Sequence, residues 1–320
     1  MRNIIKSLFY SLAFIAGLIA LLLVVSQIVT PKNNSAKDGI QDPIANGILS
    51  EAKNTIDVLV LGDSEAYCAF IPLKIWKDYG ITSYVCATSS QKLCYSEEFL
   101  RKAFSNQSPK VVILETDAVF RDLRYNDVIA QKAERAFSVF QYHNRWKTLQ
   151  PKDWTFKVNY THVVNSKGYV YNTAVVEASV DGYMKASNEK APISSKNRSY
   201  VENIKDFCYN NGAKLILIST PSTLNWNSMR HNSIQELSKK LGVEYIDMNL
   251  MHEKISIDWK KDTHDRGDHM NHYGAMKVTS YVGKYLSESG LLTDHRQDKQ
   301  YGYWNTMVEE FNKATSNALK

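Results

Sequence analysis

The sequence predicts an α/β fold: a three-layer domain with a parallel sheet covered on both faces by helices, preceded by one amino-terminal transmembrane helix. Three observations carry this expectation. Short apolar, β-branched runs recur along the chain, helix-forming stretches of roughly ten residues separate them, and the amino terminus holds a long apolar segment without charge.

The apolar segment comes first. Residues 8–29 ("LFYSLAFIAGLIALLLVVSQIV") suffice to cross a hydrocarbon core of about 30 Å. Arg2 and Lys6 precede it, and basic flanks favour the cytoplasmic side, so the expected topology is single-pass, in the cell membrane, with most of the chain extracytoplasmic. The run exceeds the apolar core of a signal peptide, and no small-x-small cleavage pattern follows it. Residues 1–30 thus read as cytoplasmic tail and anchor, and residues 31–53, rich in Pro, Asn, Ser, Gly and charge, as a linker.

The α/β pattern follows, over residues 54–292. "TIDVLVLG", "SYVCAT", "KVVILETD", "AKLILISTPS" and "VEYIDMN" are strand-like, with helices expected near residues 72–79, 96–105 and through "NSIQELSKKLG". Residues 135–190 lack clean periodicity, are rich in aromatics and Asn, and read as an insertion within the domain. Residues 293–320 form a carboxy-terminal extension, and no internal repeat is present.

Composition narrows the function classes. The chain has 320 residues, 44% of them hydrophobic, enough for one large core or two modest ones. Its formal charge is +6, of which Arg2 and Lys6 supply two, leaving +4 outside the membrane. That bias is weak, and no basic block or aromatic-interleaved patch argues for nucleic acid. Cys68, Cys86, Cys94 and Cys208 form no CxxC pair and fit no zinc spacing; they read as small core residues, with a Cys86–Cys94 bridge left open.

Two stretches carry chemistry. In "VLVLGDSEAYCAFIP", residues 58–72, Ser64 follows a buried strand and a Gly-Asp turn. Beyond the carboxyl end of such a strand lies the ligand-binding edge of an open α/β sheet, so Ser64 is a candidate nucleophile, with helix capping the structural alternative. In "DTHDRGDHMNHYGAMKVTSYVGKYL", residues 262–286, a His- and Asp-rich loop runs into an amphipathic helix starting near Gly274. His269 is a candidate general base, with Asp265 and Asp268 near enough to orient it. No H-E-x-x-H or EF-hand spacing appears, so no metal is expected.

A GDS after the first strand, joined to a His-bearing loop before the last domain helix, resembles the SGNH hydrolase family, also called GDSL-like. The resemblance implies a Ser64 nucleophile and a His269 base, without a dissociable cofactor. The family spacing D-x-x-H is absent, because Arg266 stands three before His269; Asp265 is preferred as the orienting residue because an adjacent side chain such as Asp268 often points away. The family's second block provides an oxyanion Gly, whereas this chain has "CATSSQ", so backbone N–H groups of Ser64 and of Ala87 or Thr88 are the expected donors. Its third block is G-x-N-D, whereas this chain has "LETD", placing Thr116 and Asp117 there. A carboxylate at Asp117 would repel an oxyanion unless protonated or turned to another donor.

With the anchor, "YHNRWKTL" (residues 142–149), "SKGY" (166–169) and "DHMNHYGA" (268–275), the chain looks similar to the D-alanine-transfer protein of teichoic acid synthesis and to alginate acetylation proteins. These resemblances imply a cell-envelope polymer as substrate and a membrane-bound O-acyltransferase as partner. His143 and Arg145 are candidates for holding an anionic or sugar group, with a buried network bracing the insertion as the alternative. The expected function is that of a membrane-anchored serine acyltransferase or esterase; a catalytically silent scaffold for an acyltransferase is the rival.

Overall fold

Each apolar run becomes a strand in the computed structural model, which describes residues 1–318. The strands are β1 (Val58–Gly62), β2 (Ser83–Ala87), β3 (Val111–Glu115), β4 (Lys214–Ser219) and β5 (Glu244–Asp247). The helices are α1 (Arg2–Val29), α2 (Ser64–Ala69), α3 (Pro72–Tyr79), α4 (Leu93–Phe104), α5 (Tyr125–Ala136), α6 (Val139–Tyr142), α7 (Ser195–Asn210), α8 (Ser228–Leu241), α9 (His252–Ile255), α10 (His272–Glu288) and α11 (Tyr303–Ala318). The chain divides into two units, one of Met1–Pro43 with Arg124–His162 and one of Ile44–Leu123 with Val163–Lys320.

In the larger unit the strands pair in parallel in the order β2-β1-β3-β4-β5. Side chains alternate across a strand. Val58, Val60, Val111, Ile113, Ile216 and Ile218 therefore share one face, packed with Ala66, Phe70 and Ile75 of the α2–α3 segment and with Val278 and Val282 of α10. The intervening Leu59, Leu61, Val112, Leu114 and Leu217 are equally buried and face the other way, where α4 approaches β1 and α7 approaches β4. A strand covered on both faces cannot alternate apolar and polar residues, which is why these runs are continuously apolar. Each buried aliphatic side chain contributes about 1.5–3 kcal/mol, and the sheet rests on that sum. From β1 the chain passes to β2 on one side and to β3 on the other, so the carboxyl ends of β1 and β3 flank the topological switch point, where open α/β sheets place their ligands.

Several segments outside the sheet and its helices pack into the larger unit. Residues 44–53 of the expected linker are built into the larger unit: Ile48 is fully buried, and Tyr84 Oη donates to the Ile44 carbonyl at 2.7 Å. An apolar side chain with a pocket to fill and a buried hydroxyl needing an acceptor outweigh the linker-like composition. Within the expected insertion, "SKGY" extends the edge of β2, with Val85 N–H donating to the Lys167 carbonyl at 2.9 Å. Lys167 is wholly buried and paired with Glu51 at 2.6 Å, its ammonium 4.9 Å from the Trp304 ring. The carboxy-terminal residues pack as well: Trp304 lies against Trp76 at 5.5 Å between ring centroids, and His295 Nε2 meets Asp57 at 2.7 Å.

The smaller unit joins the apolar α1 to α5, α6 and the 3₁₀ turns that follow. Arg145 braces it. Its guanidinium donates to the Val29 carbonyl at 2.5 Å and to Asp153, itself fully buried, at 2.9 Å. The Val139 N–H reaches Ser26 Oγ at 3.2 Å. α1 is 28 residues long, about 42 Å at 1.5 Å per residue, and its apolar side chains, among them Leu8, Phe9, Leu12 and Phe14, are exposed. It is long and apolar enough to cross a membrane.

Candidate active site

Ser64 is the first residue of α2, and the helix cap is Asp63, whose carboxylate accepts the Glu65 N–H at 3.1 Å. The capping role open to Ser64 from its sequence is thus filled by its neighbour. Gly62 ends β1 opposite Ala87 of β2, and a Cβ there would sit 2.7 Å from Glu115 Cβ and 2.8 Å from Ala66 Cβ, so only glycine lets the strand turn so closely into α2. Ser64 itself is 6% exposed, at the sheet edge but nearly enclosed.

The base loop is held by side chains instead of by a sheet. Asn271 caps α10 by accepting from Tyr273 and Gly274 N–H, while its own amide donates to the carbonyls of Ala174, Lys261 and Thr263. Arg266 and Gly267 both have positive φ, at 67° and 96°. A Cβ on Gly267 would lie 2.0 Å from Thr223 Oγ1, while its carbonyl accepts from Thr223 N–H and Ser222 Oγ. This reversal brings His269 back over Asp265. The Asp265 carboxylate accepts from His269 N–H at 2.7 Å and from Nδ1 at 2.5 Å, whereas Asp268 Oδ2 stands 3.6 Å from Nδ1.

With the Nδ1 proton held on Asp265, the tautomer leaves Nε2 as a lone-pair acceptor. Nε2 is enclosed and has no hydrogen-bond partner among the described residues. Burial lowers the His269 pKa, but the Asp265 hydrogen bond and the charges of Asp268, Asp265 and Asp63 outweigh it, so the net movement is upward. Burial likewise raises Asp265, and its bonds to His269 more than reverse this, holding its carboxyl below the usual range. A neutral base that gains from becoming imidazolium is what proton abstraction from a hydroxyl requires.

The nucleophile turn and base loop converge through Glu65. One Glu65 oxygen, one Asp268 oxygen and one His269 ring nitrogen lie within 4.8 Å of one another, and the Asn225 amide donates to both Glu65, at 2.9 Å, and Asp268. His264, Asp265 and His269 also gather donor atoms within 4.8 Å, and in both groups the carboxylates are engaged by Asn225 or by the imidazole, which accounts for the clusters without a cation. The Tyr67 phenol, raised by burial and Cys68, is partly relieved by the hydroxyls of Ser64 and Ser89, which places it beside the candidate nucleophile.

The remaining expected residues divide. Ala87 ends β2 level with Gly62, and Thr88 follows with its hydroxyl on Gln91 at 3.1 Å. Thr116 turns inward, fully buried, its hydroxyl on Ser219 at 2.5 Å. Asp117 is turned to other donors, Arg230 at 2.5 Å and Arg121 at 2.8 Å, so its charge is directed away from a repulsive role. His143 and Arg145 belong to the other unit, where Arg145 serves the buried brace and His143 is exposed, its Nδ1 on the Phe140 carbonyl at 3.0 Å.

Sequence reasoning passed over the polar ring under the site. Arg121 also grips Asp63 at 2.7 Å, and Glu115 accepts the Asp117 N–H at 2.9 Å. Burial and neighbouring carboxylates push Asp63 up to about 6 and hold Glu65 and Glu115 well above the ordinary range, which disfavours their charged forms. Asn225, Glu115 and Arg121 all follow or end strands at the carboxyl edge of the sheet, and that placement was the available signal.

No family model matches the chain, and no curated protein matches it. Its fold is similar to that of a GDSL-like lipase from Bacteroides thetaiotaomicron, at 12% identity over 78% of this chain and 100% of that one, with a TM-score of 0.40. A lipase/acylhydrolase from Enterococcus faecalis aligns at 10% identity over 75% and 98%, TM-score 0.41. A psychrotrophic esterase from Pseudoalteromonas sp. aligns at 11% identity over 73% and 96%, TM-score 0.38.

Proposed function

We propose that the chain is a membrane-anchored SGNH-type acyl-transfer enzyme, an O-acyltransferase or acyl esterase, that modifies a cell-envelope polysaccharide or teichoic-acid-like polymer through an acyl-serine intermediate. One observation carries the reading: His269 is held on Asp265 by Nδ1, its Nε2 is enclosed and unpartnered among the described residues, and one of its ring nitrogens lies within 4.8 Å of a carboxylate oxygen of Glu65, the residue after Ser64.

In this reading Ser64 Oγ attacks the acyl carbonyl while Nε2 takes its proton, and Asp265 stabilises the imidazolium. The tetrahedral oxyanion is held by backbone N–H groups of Ser64 and of Ala87 or Thr88. Its collapse breaks the bond to the donor's leaving group, which departs with the proton from His269. An acceptor hydroxyl then attacks the acyl-serine, giving its proton to Nε2, and Ser64 is regenerated with that proton. If a polymer hydroxyl is the acceptor, the acyl group is transferred; if water is, it is released as acid. The raised Glu65 and Glu115 and the paired Asp117 support this route, because burial disfavours the first two charges and Arg230 offsets the third.

The anchor is α1, whose exposed apolar surface suits lipid and whose length suits a bilayer, with the larger unit on the outer side. Tethering raises the local concentration of polymer and of a membrane-bound O-acyltransferase partner, so an oriented sugar hydroxyl outcompetes water.

The rival, a silent scaffold, draws on the third-block positions: the inward Thr116 and paired Asp117 supply no side-chain amide to an oxyanion. Turnover of a small aryl ester separates the two. Ser64→Ala is expected to abolish it and to change the acyl content of the envelope polymer, downward for an installing enzyme and upward for a removing one. Equal turnover in both proteins and unchanged acyl content at normal protein level would sustain the scaffold.

A further inference from the structure

Two aspartates flank the base, and the structure shows what separates their roles. Asp268 is adjacent to His269 and only 3.6 Å from Nδ1, close enough for a small side-chain rotation to bring it into hydrogen-bond range. Its other oxygen is taken by the amide of Asn225, whose remaining bond goes to Glu65, next after Ser64. Asn225 is itself fixed: its N–H donates to Ser222 Oγ at 3.1 Å and its carbonyl accepts from Arg230 at 2.5 Å. Ser222 Oγ also donates to the carbonyls of Gly267 and Asp268, so the segment after β4 clamps both main chain and side chain of the base loop.

We propose that Asn225 is the positioning residue that assigns the orienting role to Asp265, by tying the Asp268 carboxylate to Glu65 and keeping it off the imidazole. This rests on the acyl-transfer reading of the Ser64 and His269 site. The tie also joins the nucleophile helix to the base loop through side chains, besides the Thr279 hydroxyl of α10 that donates to the Ala69 carbonyl at the end of α2. The amide suits the task because both of its partners are carboxyl oxygens, and an NH₂ group donates to two acceptors at once. Once released, Asp268 needs to close only from 3.6 Å to about 2.8 Å to replace Asp265 on Nδ1.

A double-variant cycle on the full-length protein in detergent tests this. Asp265→Asn, Asn225→Ala and the pair are compared by aryl-ester kcat and KM, and by NMR titration of labelled His269. The charged and titratable groups around that ring are Asp265, Asp268 and His264 from its own loop and Asp63, Glu65 and Cys68 from the nucleophile turn and helix. Asp265→Asn alone is expected to lower kcat by about 10²-fold or more and to lower the His269 pKa. In the Asn225→Ala background its cost should shrink to less than about tenfold, with KM little changed and the pKa restored, because Asp268 takes over.

The same fold-loss in both backgrounds, or an unrestored titration, overturns the proposal. Should Asn225→Ala fail to fold, isosteric Asn225→Asp replaces it, since a carboxylate there repels Asp268 instead of holding it. Retention of full esterase activity in Ser64→Ala would defeat the acyl-transfer reading alone, and the His269 titration would still decide the role of Asn225.

Discussion

Ser64 and His269 lie on segments held in place by different means. Ser64 stands between a strand and a helix whose residues are almost all buried, and the position of its hydroxyl follows from backbone geometry: β1, the close turn at Gly62 and the Asp63 cap. His269 stands on a loop with two consecutive left-handed residues and partly exposed carboxylates, at 33% for Asp265 and 35% for Asp268. Its place follows from side-chain hydrogen bonds through Asn271, Asn225 and Ser222. The difference teaches that a side chain placed by packing should tolerate polar changes around it, whereas one placed by hydrogen bonds should lose its aim when one partner goes.

The largest expected break in this comparison is at the base. Asp265→Asn should cost about 10²-fold or more in kcat, and Asp268→Asn less than about tenfold, because only Asp265 holds Nδ1 at hydrogen-bond distance. Steady-state turnover of an aryl ester checks the ranking; equal small losses would remove the carboxylate from the mechanism.

A pair of variants in the two regions comes next. Gly62→Ala should lower stability by about 1–3 kcal/mol, because its Cβ enters the contact with Glu115 and Ala66. Asn271→Ala should cost about 1–2 kcal/mol through its lost cap, yet lower kcat further than stability alone explains, since the loop that aims His269 loses three more bonds. Denaturant midpoints set beside kcat separate the two behaviours. Proportional losses at both positions would erase the distinction.

The pH dependence sharpens it. In the proposed mechanism His269 acts as a base only when neutral, and its pKa is raised, so kcat/KM should fall as pH drops through a value above the ordinary histidine figure of about 6.5. Removing Asp265 takes away its largest raising partner and should move this limb to lower pH. A profile of kcat/KM from pH 5 to 9 reads both limbs.

The smallest expected effect lies beneath the nucleophile. Glu115 is buried with a raised pKa, so its stabilising contribution is complete below the ordinary glutamate value and is lost as pH rises through the raised one. Glu115→Gln removes that loss, and its melting temperature relative to the unaltered protein should climb by a few degrees between pH 5 and pH 8. A constant difference across that range would mean that Glu115 is ionised in the folded protein.

Much of this was legible in the residues themselves. Continuous runs such as residues 58–61 and 111–114 announce strands buried on both faces, because four successive apolar side chains in a pleat need cover on both sides. Helix α3 starts at Pro72 and ends before Gly80, as proline at an amino end and glycine at a carboxyl end require. Ser64 after β1 and His269 before α10 were likewise readable, since their types and their places relative to strand and helix follow from local order.

Partnership was not legible, because a hydrogen bond between distant residues leaves no local pattern. Nothing in "LETD" shows that Asp117 meets Arg230, more than a hundred positions on, or that Thr116 faces Ser219. Nothing in "YHNRW" shows that Arg145 closes on Asp153 and the Val29 carbonyl and so belongs to the unit around α1. The sequence by itself determined the strand and helix pattern, the apolar α1 and the identities of Ser64 and His269, since periodicity and turn chemistry act over a few residues. Only the tertiary structure decided that Asp265 takes Nδ1, that Asn225 holds Asp268, and that Glu65 and Glu115 are enclosed with raised pKa values. Burial and carboxylate separation, which fix those outcomes, exist only once the strands have been brought side by side.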